Sequence, residues 1–319
     1  VEVIMRRGIF AAALIAPLAV SACIRSRVPL SVHETKTFTA AAGKLVRFDV
    51  SSLDVDVTVA PTSTITAEVE IDARSSSRGA ARRWVDSHTP TFDDSSSALE
   101  IRQPSRRAGI VVFGFLNTKA RVKLVMPPEC GLEVRTSSGD VAVGGDVVVA
   151  GPVRIRTSSG DVTVTGGLRE LIVKTSSGDV VVRRQPLAGL EADTTSGDVT
   201  LESGGQRAIV GTSSGDVRLE KLEGGLSVDT SSGEVAASWA ALAPGSKLRV
   251  HTSSGDVRLR VPDAAQFRGR ISTRSGSIHS DFSGVSERRE HELSFTAMAD
   301  AVEIDVRTSS GDVSVHKHP

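Results

Sequence analysis

The chain has 319 residues, with 38 basic residues balanced by 38 acidic ones, so its formal net charge is zero. That balance excludes the basic footprint of a nucleic-acid-binding protein. Aromatic residues make up 3% with no tyrosine, which leaves few stacking platforms for sugars, and two cysteines exclude a disulfide framework.

In chain order, residues 1–22 read as a signal peptide. Arg6 and Arg7 precede an apolar run at 9–20 that is too short to cross a bilayer comfortably. The run ends in Val20-Ser21-Ala22-Cys23. This resembles a bacterial lipobox, which implies acylation of Cys23 and a membrane anchor; the alternative is an ordinary signal peptide cut near Ala22. Ile24 follows the cysteine, which in a double-membrane bacterium implies the outer membrane. Cys130 is then left single and reads as a buried structural thiol.

Residues 23–37 read as a tether, with strands starting at Phe38. Residues 38–128 are expected to form an irregular β-rich cap with one short helix. Within it, 45–57 looks like a degenerate repeat with Leu53 in the glycine position, and 65–71 alternates as a strand. Ser75, Ser76 and Ser77 offer a cap for a helix over 78–88, which carries Ala80, Ala81, Trp84 and Val85 on roughly one face. Strands near 98–102 and 120–126 precede Pro127-Pro128, which closes the section.

From 129 to 319 one phrase recurs. Thr-Ser-Ser-Gly-Asp-Val stands at 136–141, 157–162, 175–180, 212–217, 252–257 and 308–313, with relaxed copies at 194–199, 230–235 and 273–278. Its glycines are Gly139, Gly160, Gly178, Gly197, Gly215, Gly233, Gly255, Gly276 and Gly311, mostly 18–22 residues apart. Alternating strands flank each copy, and Ser-Ser-Gly-Asp is turn chemistry in which glycine can take positive φ. A regular step of this size predicts an all-β parallel β-solenoid of about two strands per rung, right-handed by the usual crossover preference. All nine glycines are then expected on one edge. The longest step holds an insertion at 281–300, read as an outward hairpin or loop. The last rung, 302–315, is expected to end the stack, with His316 and His318 on a tail read as solvated, adventitious metal binding being the alternative.

The sharpest candidate for chemistry is an acidic column of Asp140, Asp161, Asp179, Asp198, Asp216, Glu234, Asp256 and Asp312. Stacked in register, these carboxylates lie about 4.8 Å apart and need an offset for their repulsion. One reading is turn hydrogen bonding at each residue's own corner; the other is calcium bound between rungs, with Asp140, Asp161, Asp179, Asp198, Asp216 and Asp256 as ligands. The turn reading is favoured because the phrase offers one carboxylate per rung. An enzyme is disfavoured: the acids recur at every rung rather than gathering in one place, no Gly-x-Ser-x-Gly elbow appears, and His251 lies on a strand facing solvent. No cofactor is implied.

The iterated Ser-Gly-Asp-Val phrase, the Leu-x-Val-x-Thr strand before it, the N-terminal strands with a short helix and the Pro-Pro entrance resemble a bacterial family of β-strand-repeat proteins of unknown function, labelled "putative adhesin". The resemblance covers about 38–315. It implies a cell-envelope solenoid with an adhesive role and brings no catalytic residues. Two non-enzymatic readings follow: a binding surface for an envelope protein or glycan, or a structural, stress-linked spacer without a dedicated ligand.

Overall fold

The computed structural model describes residues 28–75, 77–104, 116–166, 168–184, 187–202, 204–296 and 300–318. The expected signal segment and Cys23 lie outside them. Among the described residues no helix is long and apolar enough to cross a membrane.

The protein is an all-β parallel solenoid with two strands per rung. Strands that lead into each corner stack in one column. Gly131–Arg135, Val153–Arg156, Glu170–Lys174, Gly189–Asp193 and Gly205–Thr212 pair in parallel there, in unbroken sequence order. Strands that trail each corner stack in a second column through Val141–Gly145, Val162–Val164, Val180–Val182 and Val199–Leu201. The 14-residue strand Val217–Thr230 serves both columns, its first part trailing one corner and its last part leading into the next.

Period-two alternation sends one set of side chains inward. The valine that closes each phrase stacks on its equivalent in the next rung, so Val141, Val162, Val180, Val199, Val217, Val235, Val257 and Val313 form one buried file. Burying each is worth about 1.5–3 kcal/mol relative to exposure. The interior between the columns is filled with such residues, with Trp239 the largest and its indole N–H on the Gly224 carbonyl at 2.8 Å.

Both ends of the stack are threaded out of sequence order. At the start, Leu45–Asp49 lies between Ala98–Arg102 and Gly131–Arg135, and Asp54–Val59 lies between Leu116–Met126 and Val141–Gly145. The paired strands of two rungs therefore sit inside the region expected to be an irregular cap. At the other end, Val302–Arg307 lies between Lys247–His251 and Phe267–Ser272, and Val313–His318 between Val257–Pro262 and Ile278–Ser280. The last rung of the chain is thus internal, not terminal as expected, and His316 and His318 belong to a strand rather than a tail.

Antiparallel strands close both edges. Thr64–Ser75 runs against Leu116–Met126, and Val28–Thr39 pairs with Thr64–Ser75 over twelve residues. The expected tether is therefore strand from Val28 onward. The helix Arg78–His88 rests on these two strands, with Ser77 Oγ accepting from the Ala80 N–H and Ala80, Ala81, Val85 and His88 buried. Trp84 is only half-buried and stacks on His88 at 3.9 Å between ring centroids. Lys44, 3% exposed, ties the junction together: its Nζ donates to the Thr39 carbonyl at 2.7 Å and to Asp94 Oδ1 at 2.6 Å. At the far end the insertion is a hairpin, Val285–Arg289 with Glu292–Phe295, and its second strand pairs antiparallel with Phe267–Ser272. It caps the edge of the stack instead of projecting from it. Phe267, Phe282 and Phe295 pack edge to face beneath it, all at most 6% exposed.

Candidate functional site

The corner is built from the Thr-Ser-Ser-Gly-Asp residues themselves. Threonine is inward-facing and almost buried. In five successive rungs its Oγ1 accepts from the N–H of the glycine three residues on, as from Gly139 to Thr136 at 3.1 Å and from Gly178 to Thr175 at 3.0 Å. The two serine N–H groups share one carbonyl of the preceding rung, as Ser158 and Ser159 do on Ser137.

The nine glycines form a single file. A Cβ on any of them would fall far inside contact distance of the carbonyl oxygen of the next residue in the file: Gly139 against Leu53, Gly160 against Gly139, and so on to Gly311 against Gly255 and Gly276 against Gly311. Positive φ was the expected reason for glycine, but among these nine it occurs only at Gly255, Gly276 and Gly311 (+156°, +156° and +153°). Close approach of rungs is what excludes a side chain. Among the described residues no repeat corner is stacked beyond Leu53; there the Gln103 side chain accepts from the Ser51 and Ser52 N–H groups at 2.7 and 3.1 Å.

The corner exists in two forms. From Gly233 onward the glycine N–H leaves its own threonine and donates to a serine carbonyl of the neighbouring rung: Gly233 to Ser254 at 3.2 Å, Gly255 to Ser310 at 3.1 Å, Gly311 to Ser275 at 3.2 Å. The Oγ1 atoms of Thr230, Thr252 and Thr308 are left buried without a partner.

The acidic column is a hydrogen-bonded ladder. Oδ1 of each aspartate accepts from the backbone N–H of the next column residue: Asp140 from Asp161 at 3.0 Å, Asp161 from Asp179 at 2.9 Å, Asp179 from Asp198 at 2.9 Å, Asp198 from Asp216 at 2.8 Å, Asp216 from Glu234 at 2.8 Å. Beyond a break at Glu234 it resumes, Asp256 accepting from Asp312 and Asp312 from Ser277. The expected bond at the residue's own corner is thus replaced by one to the neighbouring rung. Asp54, which sequence reasoning left out of the column, starts the ladder by accepting from the Asp140 N–H at 3.2 Å. At the break, Glu234 turns to Arg258, which also reaches Asp256 at 3.3 Å.

Elsewhere the recurrent polar residues pair with one another. Arg47 bridges Glu100 and Glu133, both at 3.2 Å, across three adjacent strands. His251 lies between Asp229 and Asp305 at 3.5 and 3.3 Å, half-exposed on its strand. Cys130 is buried, its thiol on the Ala41 carbonyl, and desolvation pushes its pKa up, away from nucleophile chemistry.

The outer face of the trailing column is flat and uncharged over Ala142, Thr163, Val181 and Thr200, which lie in register. It then opens into a groove of about 550 Å³ lined by Arg218, Lys221, Glu234, Arg258, Arg260 and His318 among others. Exposed large apolar residues are scattered singly, at Val125, Val148 and Ile209.

These features define a parallel β-solenoid protein whose repeated polar residues hold its rungs together. The chain belongs to the family described as Toastrack DUF4097, whose model matches residues 46–316. Among solved structures it is similar in fold to a "putative lipid binding protein" from Parabacteroides distasonis ATCC 8503, at 14% identity and TM-score 0.50, covering 90% of this chain and 97% of that one. A "putative adhesin" from the same organism matches at 14% identity and TM-score 0.44, covering 89% and 97%. One from Bacteroides fragilis NCTC 9343 matches at 8% identity and TM-score 0.43, covering 90% and 97%. Comparison with curated proteins gives no match.

Proposed function

We propose that the chain is a non-catalytic binding module of the bacterial cell envelope, carried on a lipid anchor at Cys23 and meeting an envelope protein or glycan through its trailing outer face. The observation that carries this reading is the contrast between the two sets of polar residues. The repeated acids spend a carboxylate oxygen on the amide of the next rung, a structural task. The flat strip from Ala142 to Thr200 takes no part in that ladder, and the mixed-charge groove beside it touches it only at Glu234; Arg218, Lys221 and Arg260 there are left to meet a partner. Rigid, pre-formed surfaces of this kind lose little entropy on binding.

The test is retention of the purified protein on bacterial cells and on isolated envelope glycans, compared with an Arg218→Glu/Arg260→Glu variant. Retention that the variant loses is expected. Retention by neither surface would favour a spacer without a ligand. The anchor is tested separately by mass spectrometry of the mature protein, which is expected to begin at an acylated Cys23; an unmodified N-terminus elsewhere sinks it.

A further inference from the structure

We propose that His279, Asp281 and His316 form a binding site for one divalent transition-metal ion of the Zn²⁺ type. The site arises from the out-of-order threading. Strand Val313–His318 lies beside Ile278–Ser280 with Ile278 opposite Val313 and Ser280 opposite Val315. The register continues into a bond from the Asp281 N–H to the Val315 carbonyl at 3.1 Å, which brings Asp281 level with His316. Residues 35 apart in sequence thereby meet on the outside of the trailing column.

The geometry is already close to a coordination shell. Asp281 Oδ1 is 2.9 Å from His279 Nε2, and Oδ2 is 3.1 Å from His316 Nδ1. The three ligand atoms lie within 4.8 Å of one another. In a tetrahedral site with metal bonds of about 2.0–2.1 Å, adjacent ligand atoms are about 3.3 Å apart. Small side-chain rotations therefore suffice to admit an ion. Without it, each imidazole donates an N–H to the shared carboxylate; when the ion binds, each neutral ring carries its proton on the other nitrogen, His279 on Nδ1 and His316 on Nε2. The Lys317 N–H, 3.3 Å from Oδ2, fixes the carboxylate from behind. Lys317 Nζ is held away over the Phe282 ring at 5.4 Å.

Two imidazoles and one carboxylate favour Zn²⁺, Ni²⁺ or Cu²⁺ over the all-oxygen preference of Ca²⁺ and Mg²⁺. The side chains are 66%, 36% and 43% exposed, so solvent reaches the remaining positions and the ion needs no entry path. A bound ion ties the outermost rung to the strand threaded inside it.

The test is calorimetric titration of Zn²⁺ into the full chain, prepared without a histidine tag, with thermal unfolding read in parallel. One saturable equivalent and a raised melting temperature are expected. His279→Ala, Asp281→Asn and His316→Ala each lose both, while His318→Ala keeps both. Because all three side chains are exposed, the metal-free variants are expected to melt as the parent does; His279→Gln, closer in shape, replaces any that does not. The proposal is overturned if the parent binds no saturable equivalent, if His279→Ala binds as well as the parent, or if His318→Ala abolishes binding.

Discussion

The carboxylate of Asp161 accepts the backbone N–H of Asp179, 2.9 Å away in the next rung, while its own N–H is held by Asp140. Each link joins consecutive rungs through one side chain. Asp161→Ala removes the acceptor and leaves the Asp179 amide to water. Because the site is exposed, the cost is about 1 kcal/mol, a fall of about 2–4 °C in melting temperature, and Asp161→Asn, which keeps an acceptor, loses less. Equal melting of all three proteins would dismiss the ladder as a contributor.

The same bond bears on calcium. One oxygen of each column aspartate is already engaged, so melting is expected to be the same in calcium and in excess chelator. A rise with calcium that Asp161→Asn and Asp179→Asn abolish would restore the metal reading of the column.

Glycine in the file is demanded by its neighbour. Gly178→Ala places a methyl against the Gly160 carbonyl and Thr175, where only backbone movement relieves it. It is expected to cost about 1–3 kcal/mol or more. Gly151, with open space around its Cβ position, is the control, and Gly151→Ala is expected to stay within about 0.5 kcal/mol of the parent. Denaturant melts of the two variants decide it; similar midpoints would refute the close-approach argument.

Identical phrases predict opposite responses to the same change. Thr175 Oγ1 serves the Gly178 N–H, whereas Thr252 Oγ1 is buried without a partner. Thr175→Val therefore costs about 1–2 kcal/mol, and Thr252→Val is neutral or stabilising because it removes an unsatisfied hydroxyl. Equal losses at both positions would show that the two corner forms do not differ in solution.

Acid is expected to weaken the rung that carries Glu133, near the start of the stack. Burial pushes the Glu133 carboxyl up, but Arg135 and Arg47 outweigh it and hold it below its ordinary value of 4.5. The folded form thus holds its proton less tightly than the unfolded chain. The resulting stability is present above pH 4.5 and is lost as pH falls through the lower, folded value. Glu70, lowered by its hydrogen bond from Lys123, acts in the same direction. Glu133→Gln costs about 1 kcal/mol at neutral pH and flattens the acid limb of the melting profile. A variant whose profile runs parallel to the parent's would rule this out.

The corners and their flanking strands were legible because one phrase fixes a turn and alternation fixes a face. What stayed hidden depends on pairings between distant segments. Val302–Arg307 and Val313–His318 look like one more rung; nothing local says they slide between earlier ones. Val28–Thr39 escaped because, at an edge, it carries few apolar residues inward and includes Pro29. Asp54 escaped because its corner has leucine for glycine. The two corner forms both occur with the identical phrase, at Thr175 and at Thr252, so the phrase does not decide between them; the change begins at Gly233, in the copy that carries Glu234 for aspartate. His316 was singled out as a tail residue and His279 not at all, because their meeting follows from the threading.

That threading also governs how such a molecule can change length over generations. Each end carries a rung laid down in reverse order, with antiparallel strands beyond Leu116–Met126 at one end and beyond Phe267–Ser272 at the other. A rung duplicated at either end of the stack would meet these antiparallel strands and not a repeat corner. Between Gly139 and Gly255, each rung sees an equivalent on both sides, and one more copy of the phrase repeats every contact. Relatives of different length are expected to have gained or lost whole rungs there, with both closures kept intact.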